Sequence, residues 1–159
     1  MLELPDEAAT LALGARLAAI PALNGLIFLR GELGAGKTTL VRGFLRALGH
    51  EGIVKSPTYT LIEPYELAAR SIFHLDIYRL GDPSELDELG VRDLLKDNNT
   101  LLLEWPERAQ GALKAPDMEI SLEYEGDARK AVLTSRHPGV MESLANDQSL
   151  GQPREQISQ

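Results

Sequence analysis

Apolar residues recur along this chain at helical spacing in some stretches and in short unbroken runs in others, and the two patterns mark out its elements. Between Asp6 and Ile20, Leu13, Leu17 and Ile20 fall on one side of a 3.6-residue spiral, with Leu11, Ala15 and Ala18 nearby. The spacing predicts a helix that Asp6 caps and Pro21 ends. Leu26-Ile27-Phe28-Leu29 is an apolar run of strand length, the pattern of a strand covered on both faces. Leu40, Val41, Phe44, Leu45 and Leu48 then return to helical spacing, with Gly49 as a stop.

Further along, Tyr59 to Tyr65 reads as a strand that Leu67-Ala68-Ala69-Arg70 joins to a second, Ser71–Tyr78, in an antiparallel hairpin. Asp82-Pro83 combines a cap with a first-turn proline and opens a helical stretch that Gly90 divides and that ends near Lys96. Leu101-Leu102-Leu103-Glu104 is another apolar strand. Met118–Glu125 and Arg129–Ser135 alternate as a final hairpin turned by Gly126-Asp127. From Arg136 onward the chain becomes rich in Gly, Pro, Ser, Asn and Gln. The expected organisation is one patterned domain over 1–135 and a polar, poorly ordered tail over 136–159.

Composition narrows the class. A chain of 159 residues suits one domain with a substantial core, and no run of 18 apolar residues is present to span a membrane. Met1 to Asp6 lacks the basic and apolar regions of a signal peptide, and there are no cysteines for disulfides or thiolate-bound zinc, so a cytoplasmic location is expected. The net charge of −8 opposes broad contact with nucleic acid. It is unevenly spread: Lys37, Arg42, Arg46 and Lys55 face Glu51 alone, whereas six carboxylates between Asp82 and Asp97 face only Arg92 and Lys96. That acidic stretch is either a solvated face or a docking surface for a protein.

The candidate chemistry begins between the first strand and the helix after it. Gly31-Glu32-Leu33-Gly34-Ala35-Gly36-Lys37-Thr38 fits the phosphate-loop pattern, with Thr39 behind it. Glycines let backbone N–H groups curl around a polyphosphate, Lys37 supplies a mobile charge and Thr38 a hydroxyl for Mg²⁺. The helix that follows aims its free N–H groups at the same anion. Asp76 and Glu104 each close an apolar strand, and carboxylates delivered there beside such a loop suit metal and water positioning. Ser56, Thr58 and Thr60 are either switch-like hydroxyls that sense the γ-phosphate or its metal, or parts of a proline turn around Pro57. His74, inside an apolar strand, reads as a satisfied core residue. Asp87-Glu88-Leu89-Gly90 mimics a GTPase motif but sits in a helical stretch, and no Asn-Lys-x-Asp guanine motif occurs, which favours ATP.

Taken together, Gly31 to Thr39, Lys55-Ser56-Pro57-Thr58-Tyr59-Thr60, His74-Leu75-Asp76-Ile77-Tyr78-Arg79-Leu80 and Leu103-Glu104-Trp105-Pro106 resemble the TsaE (YjeE) family of bacterial P-loop ATPases, over about Pro5 to Ser135. The resemblance implies an α/β, three-layer P-loop NTPase fold: a mainly parallel central sheet of about four strands with antiparallel edge strands and flanking helices. It implies Mg²⁺-dependent hydrolysis of ATP to ADP, slow without partners, in support of N6-threonylcarbamoyladenosine formation at position 37 of tRNA. The implied partners are TsaB and TsaD, engaged in a nucleotide-dependent way, with tRNA met only indirectly. By position, Gly31, Leu33, Gly34, Ala35, Gly36, Lys37, Thr38 and Thr39 would hold the nucleotide, and Thr38 and Glu104 the metal. Asp76 and Glu104 would be catalytic alongside Lys37. Trp105 would lie close to the nucleotide rather than serve only as core packing; Glu7 or Thr10 would approach the adenine, and Arg129 the nucleotide from the last hairpin.

Two other functions share the loop. A small-molecule kinase would devote an arginine-bearing insertion to a lid, whereas only Arg79, Arg92 and Arg108 lie between the first hairpin and the last strands. A module that uses ATP only as a conformational ligand differs in how water is activated.

Overall fold

The computed structural model describes residues 1–109 and 111–146. Its elements follow the apolar pattern: β1 (Leu2–Leu4), α1 (Glu7–Ala18), β2 (Leu26–Arg30), α2 (Lys37–Ala47), β3 (Ile62–Glu66), β4 (Ser71–Asp76), α3 (Glu85–Glu88), α4 (Val91–Lys96), β5 (Thr100–Glu104), a 3-10 turn (Pro106–Ala109), β6 (Met118–Glu125), β7 (Ala128–Ser135) and α5 (Pro138–Asn146). Asp6 caps α1 by accepting from the Ala9 amide at 2.9 Å, a contact worth about 1 kcal/mol. The expected cap at Asp82 is displaced: Asp82 accepts from the Ser84 amide at 2.8 Å and Glu85 reaches back to the Asp82 amide at 3.2 Å, but α3 starts after Ser84, which makes no side-chain cap.

The seven strands form one sheet in the order β1-β7-β6-β2-β5-β4-β3. The central four, β6, β2, β5 and β4, run parallel, and β3 on one side and β7 with β1 on the other are antiparallel additions. Helices cover both faces, which gives the expected three-layer α/β arrangement. Because side chains alternate along a strand, β2 feeds both layers: Ile27 and Leu29 join a core with α1 and α2, and Leu26 and Phe28 join a second core with Leu86, Val91 and Ala109. Leu80, Leu86 and Val91 are buried in that second core, so the stretch between β4 and β5 covers the sheet. Asp87 to Gly90 falls in α3 and the turn after it, away from any strand end.

Helices α1 and α2 touch backbone to backbone. A Cβ built on Gly14 would run into the Leu40 carbonyl oxygen, and one built on Gly43 into that of Leu11. The two glycines are therefore reciprocal: each supplies the gap that the other helix's carbonyl fills.

Three boundaries differ from the apolar pattern. The strand expected from Tyr59 begins only at Ile62, because Leu61 takes a left-handed φ of 66° and its amide returns to the Pro57 carbonyl at 2.7 Å. Its partner ends at Asp76 instead of Tyr78, since the Tyr78 amide turns back to the Asp76 side chain at 3.0 Å. The polar tail is ordered at its start: α5 packs Val140 into the first core, and Arg136 and His137 both contact Asp117. Residues 147–159 of that tail lie outside the described residues. The short β1 strand, paired with β7, had no pattern long enough to announce it. No helix among the described residues is long and apolar enough to cross a membrane.

Candidate functional site

Strand direction brings the chemistry together. Because β2, β5 and β4 are parallel neighbours, their carboxyl ends lie side by side, and the registers Leu29↔Glu104 and Asp76↔Glu104 set the two carboxylates in one row. Glu104 follows Leu102, and Asp76 follows His74 and Ile72, on the face of the α1–α2 core. The loop between β2 and α2 starts two residues after Leu29, on that same edge. Sheet topology thus places both acids beside the loop before any side chain is considered.

Gly31, Gly34 and Gly36 have φ of 149, 79 and 109°, and Gly36 precedes the first residue of α2. This backbone path leaves the helix N-terminus open to an anion. Lys37 turns back across the loop, donating to the Gly31 carbonyl and, at 3.3 Å, to that of Glu32. Its ammonium lies 3.7 Å from the centroid of the Trp105 ring. Burial pushes the Lys37 pKa below the ordinary lysine range, while the charges of Glu104, Asp76 and Glu107 pull it back up.

The two carboxylates are held by different donors. Asp76 Oδ2 accepts from Ser56 Oγ and, at 3.1 Å, from Thr58 Oγ1, and its Oδ1 accepts from the Tyr78 amide. Glu104 Oε1 is 3.5 Å from Thr38 Oγ1, and its Oε2 lies 2.7 Å from His74 Nε2 and 3.4 Å from Ser56 Oγ. Leu33, Lys37, Thr38, Thr39, Ser56, Thr58, Asp76, Glu104 and Trp105 line one cleft of about 220 Å³. On the other side of the loop a second hollow of about 180 Å³ is lined by Glu7, Thr10, Gly34, Ala35, Gly36, Thr39 and Arg129. Gly34, Gly36 and Thr39 line both, so the two hollows adjoin at the loop, and we refer to the pair as the trough.

The structure therefore gathers nearly all the residues singled out by motif. Thr60 is the exception: it is exposed and lines a neighbouring groove with Ile53, Tyr59 and Glu63, which Ser56 borders as well. Ser56 serves as a bridge between the acids, and Thr58 follows it onto Asp76. Trp105 adopts φ 63°, uncommon for a bulky residue, and its ring also meets Tyr78 at 4.9 Å between centroids. Two contacts were not anticipated from the sequence, one of a residue outside the motifs and one of His74, which read as core. Tyr124 donates its hydroxyl to the Leu33 carbonyl at 2.8 Å and carries the Arg129 guanidinium 4.0 Å above its ring. His74 reaches Glu104 from the same face. Period-two alternation was the available signal, since Tyr124 follows Leu122 and His74 precedes Asp76 by two.

The donor set fits a hard cation shared with a polyphosphate. Thr38 and Glu104 offer only oxygen, as Mg²⁺ prefers, and among the described residues no group of three or more His, Cys, Asp and Glu could hold a metal by itself. Mg²⁺ commonly takes one or two protein oxygens and completes its shell from phosphates and water.

Comparison with known proteins gives the family. The family model described as threonylcarbamoyl adenosine biosynthesis protein TsaE matches residues 4–132. A Haemophilus influenzae protein named tRNA threonylcarbamoyladenosine biosynthesis protein TsaE is 44% identical over 138 residues, covering 84% of this chain and 87% of its own. Its Bacillus subtilis namesake is 34% identical over 128 residues, 80% of this chain and 78% of its own. The crystal structure of Bacillus subtilis YdiB superposes with a TM-score of 0.69 at 29% identity, covering 90% of this chain and 89% of that one. With the family model spanning most of the sheet and both flanks of the trough, this chain belongs to the TsaE family.

Proposed function

We propose that the chain is a cytoplasmic, Mg²⁺-dependent ATPase that serves N6-threonylcarbamoyladenosine formation at position 37 of tRNA by acting on a TsaB–TsaD complex. Membership of the TsaE family supports the pathway. The observation that carries the ATPase reading is the pairing of Asp76 with Glu104 across β4 and β5 at the open end of the phosphate loop.

In this reading the loop amides and Lys37 bind the phosphates, and Thr38 with Glu104 holds Mg²⁺, which supplies charge neutralisation at the β- and γ-phosphates. Asp76 is fixed at both oxygens by Ser56, Thr58 and the Tyr78 amide, so its remaining lone pairs are oriented before substrate arrives. It accepts a hydrogen bond from the attacking water, whose oxygen bonds to the γ-phosphorus as the bond to the bridging oxygen of ADP breaks, the water's protons leaving on the phosphate released. Glu7, Thr10 and Arg129 line the end of the trough away from the acids, where the nucleoside has room.

The test is phosphate release from ATP with no acceptor present, with Mg²⁺ and with chelator, and again with purified TsaB–TsaD added. Slow, Mg²⁺-dependent release that accelerates with the complex is expected. Phosphate transfer seen only after a small-molecule acceptor is supplied would replace this reading by a kinase.

A further inference from the structure

His74 is fully buried, yet it stands in a strand whose neighbours on the same face, Ile72 and Asp76, are a core residue and a site residue. Its Nε2 lies 2.7 Å from Glu104 Oε2, and its Nδ1 is buried with no hydrogen-bond partner among the described residues. An imidazole in an apolar layer costs stability unless its polar atoms are used. Here one nitrogen is used fully and the other not at all, so core packing alone accounts poorly for the residue. A Leu or Phe would fill the space without an orphaned nitrogen.

The remaining contacts of Glu104 show what the histidine does. His74 Nε2 and Glu104 Oε2 are in hydrogen-bond contact, and a carboxylate that is to ligate a cation only accepts, which assigns the proton to Nε2 and the donation to His74. That bond, with Ser56 Oγ at 3.4 Å, occupies Oε2 from the sheet side and leaves Oε1 facing the Thr38 hydroxyl 3.5 Å away. Glu104 itself is almost wholly buried at the end of β5. Without that donor, Oε2 would be left with the longer 3.4 Å contact with Ser56 Oγ, and the carboxylate would be less firmly oriented. Groups that orient a metal-binding carboxylate commonly change metal affinity or activity by about 10–100-fold when lost.

We propose that His74 is a positioning residue: by donating from Nε2 it sets Glu104 so that Oε1, beside Thr38, is presented for Mg²⁺. The proposal rests on the Mg²⁺–nucleotide reading above and extends it to a residue outside the trough. It makes His74 specific for the metal-dependent part of nucleotide binding and leaves the loop's own grip on phosphate unchanged.

The experiment is calorimetric titration of ADP, with chelator and across a Mg²⁺ series, into the parent, His74→Leu and His74→Gln, with circular dichroism checking that each is folded. The amide of His74→Gln restores a donor in the same direction. Expected for His74→Leu is a rise of about 10-fold in the Mg²⁺ concentration that half-saturates the effect, with metal-free ADP affinity within about twofold of the parent. His74→Gln should recover most of the loss. An unchanged Mg²⁺ dependence in His74→Leu, or a loss that His74→Gln does not recover, overturns the positioning role. Absence of any Mg²⁺ effect in the parent overturns the underlying reading as well, so the two failures differ. Should the variants not fold, nitrogen NMR of the unaltered protein decides: a proton on Nε2 and a bare Nδ1 is required, and the reverse tautomer refutes it.

Discussion

Asp76 and Glu104 stand directly opposite each other on adjacent parallel strands, and different hydrogen-bond donors hold them. Asp76 is gripped by two hydroxyls and an amide, whereas Glu104 keeps one oxygen toward Thr38. Asp76→Ala should lower ATP hydrolysis by about 10²–10⁴-fold with nucleotide affinity largely retained, because the loop supplies the binding. Glu104→Ala should show a similar loss and, in addition, a weakened Mg²⁺ dependence. Single-turnover hydrolysis beside ADP titration separates the two, and parent-like hydrolysis in both would make the acids structural.

Lys37→Ala should weaken ATP binding by at least about 100-fold, since the phosphates lose their compact counter-charge. The fold should stay within about 1 kcal/mol of the parent, because among the described residues Lys37 donates to two loop carbonyls and faces one ring, and its burial already disfavours the ammonium. Titration of nucleotide and a thermal melt on the same sample check both halves.

Acid should weaken the junction between β2, β6 and α5. Burial pushes the Asp117 carboxyl up, but hydrogen bonds from His137, the Leu26 amide and Arg136, together with the Arg136 charge, outweigh it and hold the pKa below the ordinary range. A folded-state value below the unfolded one means that the stabilisation is present above about pH 4 and is lost as pH falls through the folded value. Asp117→Asn should therefore cost about 2 kcal/mol near neutrality, or about 5 °C in Tm, and the gap to the parent should close in acid. Thermal melts of both proteins from about pH 7 to pH 2 would show it.

Association with TsaB–TsaD should be tighter with ATP than with ADP or no nucleotide, because partner and nucleotide would favour the same conformation. Ser56 and Thr58 are suited to carry that coupling, since they bridge the segment before β3 to both acids. Co-elution in the three nucleotide states, run beside tRNA alone, is the measurement. Equal association in all three removes the coupling, and tight binding to bare tRNA, against a net charge of −8, removes the indirect role.

The parts of the site legible in the sequence were those whose chemistry dictates spacing or strand position. Gly31 to Thr38 could be read because a phosphate-binding turn needs those glycines, and Asp76 and Glu104 because a carboxylate ending an apolar run lies at a sheet edge. Tertiary contacts were not legible. His74 read as core and is buried, but its contact with Glu104, 30 positions away, could not be read, and Tyr124 looked like one more alternating strand residue. Thr60 was grouped with Ser56 and Thr58 by proximity in sequence, but the chain turns before Leu61 and sends it to another groove. The helix at Pro138–Asn146 was hidden because Val140 is its one fully buried residue and the Asp117 contacts with Arg136 and His137 come from far along the chain.

The reciprocal contact of Gly14 with Gly43 bears on how the trough keeps its dimensions. α2 begins with Lys37 at the phosphate end, and α1 carries Glu7 and Thr10 at the other, so the distance between the two ends is set where two main chains touch with no side chain between them. Ordinary mutation can only wedge such a joint wider, never draw it closer. The spacing of the two helices at this joint is thus already at its lower limit, and a substitution there has one available error, to make it too large.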